Sequence, residues 1–289
     1  MASPNTFEIN IRSIYGTEGQ IWLNQIPNLV SDWSKKLKLT NLSVFDNLSF
    51  NYVLTGFRNG QPAVLKIGLD YEALNKEAIA LETFANHGAV KILAKDKGVL
   101  LIQQAVPGVS LKRMREIDNA SKIKICCELT AKLHYSQPKF NHIFPKISDW
   151  LKAFDKEWQI PEHYLTLARK LRDKLLNSTE PQILLHGDLH HDNILKHREG
   201  WLIIDPKGVI GYPINEVWAF IIDIEVDTKF IAEFFNYDLT RVRFCYFTHL
   251  ILAACWCLED NLVPDKFLEL AAETYKLFNF DLIDIDGYR

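Results

Sequence analysis

Several things are scarce or missing in this 289-residue sequence, and each absence narrows the possibilities. The net charge is only −3, with a pI near 6.3, so no basic excess draws the chain to nucleic acid by counterion release. No run of about 18 apolar residues stands out; "LILAACWCL" and "VWAFII" have the length of core helices, and no membrane span is expected. The opening "MASPNTFEIN" lacks the basic and apolar regions of a signal peptide, so a cytoplasmic location is the expectation. There are five cysteines, an odd number, with no Cys-x-x-Cys pair, and all lie in apolar, helix-like surroundings. They read as buried thiols of a reducing compartment rather than as disulfides or metal ligands. Internal repeats and low-complexity segments are also missing. What is present, 48% hydrophobic and 24% charged residues, suits a globular chain that buries a sizeable core.

The hydrophobic pattern changes period along the chain. Trp22, Ile26, Leu29, Val30, Trp33 and Leu37 stand at helical spacing and predict an N-terminal amphipathic helix or helix pair, broken near Pro27. Two β-like runs, Asn51–Gly56 and Ala63–Ile67, then flank the turn signal Arg58-Asn59-Gly60. Lys66 lies within the second of them. "YEALNKEAIALETFANHG" returns to a helical period and stops at Gly88, and two further short strands surround Lys97-Gly98. From Ser110 to about Leu176 the pattern is helical, interrupted by "SQPKFNHIFPK". "GWLIIDPKG" adds a short strand, and the rest is helical to about Phe278. The expected class is α+β: a small β-rich lobe with an N-terminal helical extension, residues 1–104, followed by a larger helical lobe, residues 105–289.

The stretch "ILLHGDLHHDNIL" concentrates the chemistry. A zinc site on His186 and His190, with His191 beside them, needs a helix to put the rings on one face; Gly187 and the preceding "QILL" indicate strand and turn instead. Phosphoryl transfer asks for different parts: a carboxylate to accept the proton of an attacking hydroxyl, an amide and a second carboxylate for Mg²⁺, and a lysine for the nucleotide phosphates. The kinase catalytic loop places its asparagine five residues after the base, as Asn193 follows Asp188, and Asp205 closes "WLIID" after a short hairpin. Upstream, Lys66 in "AVLKI" matches the lysine strand, followed by a helix carrying Glu77 and Glu82. Glu77 faces Ala73, Leu74, Ala80 and Leu81, where an unpaired carboxylate is costly, so it is the natural partner of Lys66; Glu82 is the second choice. Each element alone has a bland reading: a lysine in a hairpin is usually solvated, and an aspartate at a strand end often only forms a turn.

Together, "HGDLHHDNIL" and "IDPKGVIGYP" resemble the aminoglycoside phosphotransferases, in particular the branch of aminoglycoside and hydroxyurea resistance kinases. "GTEGQIWLNQIPNLV", "AVLKIG", "KEAIALETF" and "GVLLIQQAVPGVSL" extend the likeness over most of the chain. A generic protein kinase would show Arg after His186 and an Asp-Phe-Gly motif downstream; neither is present. The resemblance implies a two-lobed, protein-kinase-like fold. It makes Asp188 the catalytic base, Asn193 and Asp205 the Mg²⁺ ligands, and Lys66, fixed by Glu77, a contact of the α- and β-phosphates of ATP or GTP. It also assigns the adenine edge to backbone groups of Gln103 and Ala105, and a phosphate contact to Ser49 in the glycine-free turn "FDNLSFN". Lys207 either neutralises phosphate charge or caps its turn.

The expected function is ATP- and Mg²⁺-dependent O-phosphorylation of a small hydroxylated molecule, an aminoglycoside or hydroxyurea, giving antibiotic resistance. A metabolic kinase for a sugar or amino alcohol, a non-catalytic nucleotide-binding module and a metal-dependent hydrolase are the rivals. The part beyond Asp205 is rich in acids (Glu216, Asp223, Glu225, Asp227, Glu233, Asp238, Glu259, Asp260 and Asp265), which would attract a cationic acceptor or simply line solvated helix faces. A monomer or homodimer without nucleic-acid or membrane partners is expected.

Overall fold

The computed structural model describes residues 6–136 and 143–278. In chain order these form α1 (Thr6–Leu37), β1 (Leu39–Val44), β2 (Asn51–Arg58), β3 (Gln61–Gly68), α2 (Tyr71–Phe84), β4 (Ile92–Asp96), β5 (Val99–Gln103) and β6 (Pro107–Ser110). There follow α3 (Asn119–His134), α4 (Ile147–Trp150), α5 (Glu162–Leu176), β7 (Ile183–Leu185), β8 (Ile194–His197), β9 (Gly200–Ile203) and β10 (Val209–Gly211). Three helices complete the order: α6 (Ile224–Phe235), α7 (Leu239–Glu259) and α8 (Asp265–Lys276). The irregular stretch expected around "SQPKFNHIFPK" lies partly outside the described residues. The elements gather in two compact units, Met1–Arg113 with Asp192–Lys207, and Met114–His191 with Gly208–Arg289.

Unit 1 is built on an antiparallel sheet in the order β1-β2-β3-β5-β4. Side chains alternate across a strand, and β3 uses both faces. Ala63, Leu65 and Ile67 join Phe7, Ile11, Trp22 and Ile26 of α1 in one buried core. Lys66 therefore points to the opposite face of the central strand, where α2 packs with Leu74, Ala78, Leu81 and Phe84 buried. The break in α1 falls at Gly16 (φ 54°, ψ −126°) and not at Pro27, which stays inside the helix. Left-handed backbone is cheap only for glycine. Gly19 lets the two segments touch, since a Cβ there would sit 2.6 Å from the Ile11 carbonyl oxygen. A second, three-stranded sheet, β6-β8-β9, belongs to the same unit. The Ile203 N–H donates to the Gly88 carbonyl at 2.8 Å and its own carbonyl accepts from Val90 at 3.0 Å, which pins the end of β9 to the segment after α2.

Unit 2 is helical, with β7 and β10 as its one sheet among the described residues. Val209, Ile210 and Gly211 pair with Leu185, Leu184 and Ile183. α7 packs against α5, α6 and α8. Contrary to the expectation from the sequence, α7 is long and apolar enough to cross a membrane by length and composition, but 67% of its apolar window is buried. Cys245 and Cys255 belong to that buried length, and burial pushes both thiols up to about 12. His134 ends α3 and packs against Phe235 at 6.1 Å, and burial lowers its pKa to about 4.

Candidate active site

In unit 1 the charged groups meet at the face of β3 turned toward α2. The Lys66 ammonium lies 2.6 Å from Glu77 Oε1 and 2.8 Å from Asp205 Oδ1. Lys66 and Glu77 are buried, whereas the Asp205 side chain is 47% exposed. Burial alone would lower the lysine pKa, but the charges of Asp205 and Glu77 outweigh it and raise it above the ordinary range. Burial raises the Glu77 carboxyl, opposed by Lys66 and reinforced by the negative charge of Asp205. The three groups together carry one net negative charge. Glu82 is occupied elsewhere, 2.7 Å from Lys95 on the surface, so Glu77 is the partner of Lys66.

Asn193 and Asp205 stand at the open end of the β8–β9 hairpin. Ile194 pairs with Ile203, and one step further the Ile204 N–H donates to the Asn193 carbonyl at 3.0 Å. Asn193 is buried, and Asp205 adopts φ +59°, an uncommon conformation for a residue other than glycine. Asp192 is tied to this unit by Ser110 Oγ at 3.1 Å and Lys112 Nζ at 2.6 Å. Lys207 is exposed two residues beyond Asp205.

The segment after β5 can be accounted for group by group. Gln103 N–H donates to the Lys91 carbonyl at 2.8 Å, Gln104 N–H to Pro62 at 3.3 Å, and Val106 N–H to His197 Nδ1 at 3.1 Å. The Val106 carbonyl accepts from Arg198 N–H at 2.8 Å. Among the described residues, neither backbone group of Ala105 has a hydrogen-bond partner, although Ala105 is only 4% exposed. Ser49 is exposed in the loop between β1 and β2, with its carbonyl accepting from Asn10 Nδ2 at 3.2 Å. That loop enters the sheet where Asn51 pairs with Gly68, two residues past Lys66.

In unit 2, β7 ends at the turn His186-Gly187-Asp188, with Gly187 at φ +82°. Only glycine takes such a φ without a steric cost, and the Gly208 N–H closes the turn on the His186 carbonyl at 3.0 Å. Asp188 is 28% exposed, its N–H donating to His186 Nδ1 at 3.2 Å and its carbonyl accepting from His190 N–H at 2.9 Å. Beneath the turn lies Glu216, 1% exposed. Its Oε2 accepts from His186 N–H at 2.5 Å and its Oε1 from Gly187 N–H at 3.0 Å. Burial pushes Glu216 up to about 7 against those two donors, helped by the charge of Asp188. From the sequence Glu216 is one of nine acids that would attract a cationic acceptor or line solvated helix faces; its position three residues into "INEVWAFII" was the available sign of burial. Among the described residues no group of three or more His, Cys, Asp or Glu could hold a metal ion, so His186, His190 and His191 do not form the alternative zinc site.

The fold is that of the protein-kinase-like small-molecule phosphotransferases. Over 86% of this chain and 96% of the other it superposes on the aminoglycoside phosphotransferase APH(4)-Ia, at a TM-score of 0.66 and 14% identity. The chain belongs to the aminoglycoside/hydroxyurea antibiotic resistance kinase family, whose profile matches residues 39–225. It is 28% identical to a streptomycin 6-kinase of Streptomyces glaucescens, covering 89% of this chain and 91% of that one. It is also 28% identical to a hydroxyurea phosphotransferase of Kitasatospora aureofaciens, over 74% and 68% of the two chains. The protein is accordingly a kinase that takes an alcohol group of a small molecule as acceptor.

Proposed function

We propose that the protein transfers the γ-phosphoryl group of ATP to a hydroxyl of a streptomycin-like aminoglycoside. The observation that carries this reading is the Glu77–Lys66–Asp205 arrangement, which holds one buried ammonium beside the face where a triphosphate would lie. Lys66, kept charged by Glu77, engages the α- and β-phosphates. Ala105 offers its N–H and C=O to the adenine edge, with Gln103 alongside, and Ser49 reaches the phosphates from the β1–β2 loop. Lys207 adds a positive charge just past Asp205.

The donor set suits Mg²⁺: an amide oxygen from Asn193 and a carboxylate from Asp205, both hard oxygen ligands, stand side by side on one hairpin. When bound, the ion neutralises charge on the β- and γ-phosphates. Asp188 accepts the proton of the acceptor hydroxyl as its oxygen forms a bond to the γ-phosphorus and the bond to ADP breaks. Glu216 holds the His186–Gly187 backbone that aims Asp188. Catalysis of this kind is mostly positioning and charge stabilisation.

A cationic acceptor is supported by the surface of unit 2. A cavity of about 550 Å³ is lined by Asp223, Glu225 and Glu273, with Lys276 as its single base. Asp227 shapes its rim, accepting from the N–H groups of Ile222 at 2.8 Å and Asp223 at 2.9 Å. The test is a panel of aminoglycosides, hydroxyurea, sugars and amino alcohols, read by ADP release and by the mass of the product. A phosphorylated streptomycin is the expected result; turnover only with hydroxyurea, a sugar or choline would overturn the substrate assignment.

A further inference from the structure

The hydrogen bonds around Ala105 raise the question of what keeps that residue open. The two residues responsible lie some ninety positions away, at the end of β8. His197 accepts the Val106 N–H and Arg198 donates to the Val106 carbonyl, so both polar backbone groups of Val106 are consumed by one strand end. On the other side of Ala105, the Gln103 side-chain amide lies 3.4 Å from His197 Nε2. One imidazole therefore touches Gln103, two positions before Ala105, and Val106, one position after it.

The chemistry of the ring fits this task. An Nδ1 that accepts a hydrogen bond carries a lone pair, so the proton of the neutral ring is on Nε2, and Gln103 can accept it only with its amide turned over, since the amide nitrogen is the atom facing the ring. Burial, with the Arg198 charge adding to it, lowers the His197 pKa and favours that neutral form. The strand beneath is fixed at both ends. Asp192 is held by Ser110 and Lys112 just before Asn193, and Pro107 pairs with His197 at the far end. β8 is thus a short bar with the candidate metal ligand Asn193 at one end and the segment Gln103–Val106 at the other.

We propose that His197 is a positioning residue for the nucleotide base: by clamping Val106 and meeting Gln103 it presents the N–H and C=O of Ala105 to the base edge. This rests on the reading of unit 1 as the nucleotide site. A purely structural role in the β6–β8 ladder would affect every ligand of the unit alike, whereas a role toward the base would spare the phosphates.

The experiment compares the full chain with His197→Phe, which keeps a ring and loses both ring nitrogens, and His197→Asn, which keeps an acceptor close to the Nδ1 position. His197→Leu serves as a smaller second probe should the phenylalanine not fit. Affinities for ADP and for inorganic tripolyphosphate are measured by calorimetry with Mg²⁺ present, together with KM and kcat for ATP. The expected result is an approximately tenfold weaker ADP affinity in His197→Phe, corresponding to about 1.4 kcal/mol, with tripolyphosphate affinity retained. The loss falls on KM for ATP more than on kcat, and His197→Asn recovers most of it. Unchanged ADP affinity, or equal weakening of ADP and tripolyphosphate, would overturn the proposal while leaving the nucleotide reading intact. A wild-type protein that binds no ADP would overturn that reading and this proposal with it.

Discussion

In unit 1 the buried Lys66 sits between two carboxylates at 2.6 Å and 2.8 Å, whereas in unit 2 Asp188 stands 28% exposed on a turn held from below by Glu216. The first region compensates side-chain charge with side-chain charge. The second fixes the backbone of its turn, through a second carboxylate and two N–H groups. The contrast matches the roles proposed for the two regions. A group that binds phosphates must remain charged in a buried place, which needs permanent counterions. In the proposed mechanism Asp188 must meet a hydroxyl arriving from outside, which asks that its side chain stay partly exposed.

The comparison can be broken most severely at its buried end. Lys66→Ala leaves Glu77 buried without its counterion and is expected to cost about 3–5 kcal/mol of stability, read by urea unfolding. The double variant Lys66→Met with Glu77→Leu, which removes both charges, should regain most of that loss. If the two proteins unfold at the same denaturant concentration, the pair is not the structural unit described.

A smaller effect is expected from Glu216→Gln, which can accept only one of the two N–H groups. It should lower kcat about ten- to hundredfold, or about 1.4–2.7 kcal/mol. Its pH signature separates stability from activity. The folded-state pKa of Glu216 is raised to about 7 from an ordinary 4.5, so the folded state holds the extra proton between these values. Stability of the wild type relative to Glu216→Gln must then fall as pH rises from 4.5 through 7. Activity should move the opposite way, since only the ionised carboxylate accepts both N–H groups. Thermal unfolding and kcat over this range check both signs; parallel movement of the two would sink the positioning role.

The mildest effect concerns the acidic cavity. Asp223→Asn with Glu225→Gln keeps the α6 cap, where Asp223 Oδ1 accepts from Val226 N–H at 3.0 Å, but removes two charges. KM for a cationic aminoglycoside should rise about three- to tenfold at low ionic strength, with the difference shrinking as salt is added. An uncharged acceptor should be insensitive to the change.

Much of this was legible in the sequence where the signal is local. The β2–β3 hairpin followed from Asn59-Gly60 between two apolar runs, and Glu77 from its apolar neighbours one helical turn away. Less was legible where distant segments decide. β6 is a short strand whose partner β8 lies far along the chain, Leu111 bonds to Ile194, and Ile203 at the end of β9 bonds to Gly88 and Val90. Glu216 looked like one acid among nine, because its two donors are thirty residues away. His197 carried no local mark at all. The kink at Gly16 shows that a proline in a helix is a weaker predictor of a break than a glycine at which the chain must fold back.

The proposed division between a charge-compensated nucleotide site in unit 1 and a base on the Asp188 turn is tested most directly by one variant read in two ways. Asp188→Asn, assayed for ADP affinity and for kcat with the preferred acceptor, should bind ADP as the wild type does and lose at least about a thousandfold in kcat, or about 4 kcal/mol. A variant that keeps more than about a tenth of the wild-type kcat, a difference under ~1.4 kcal/mol, would contradict the account.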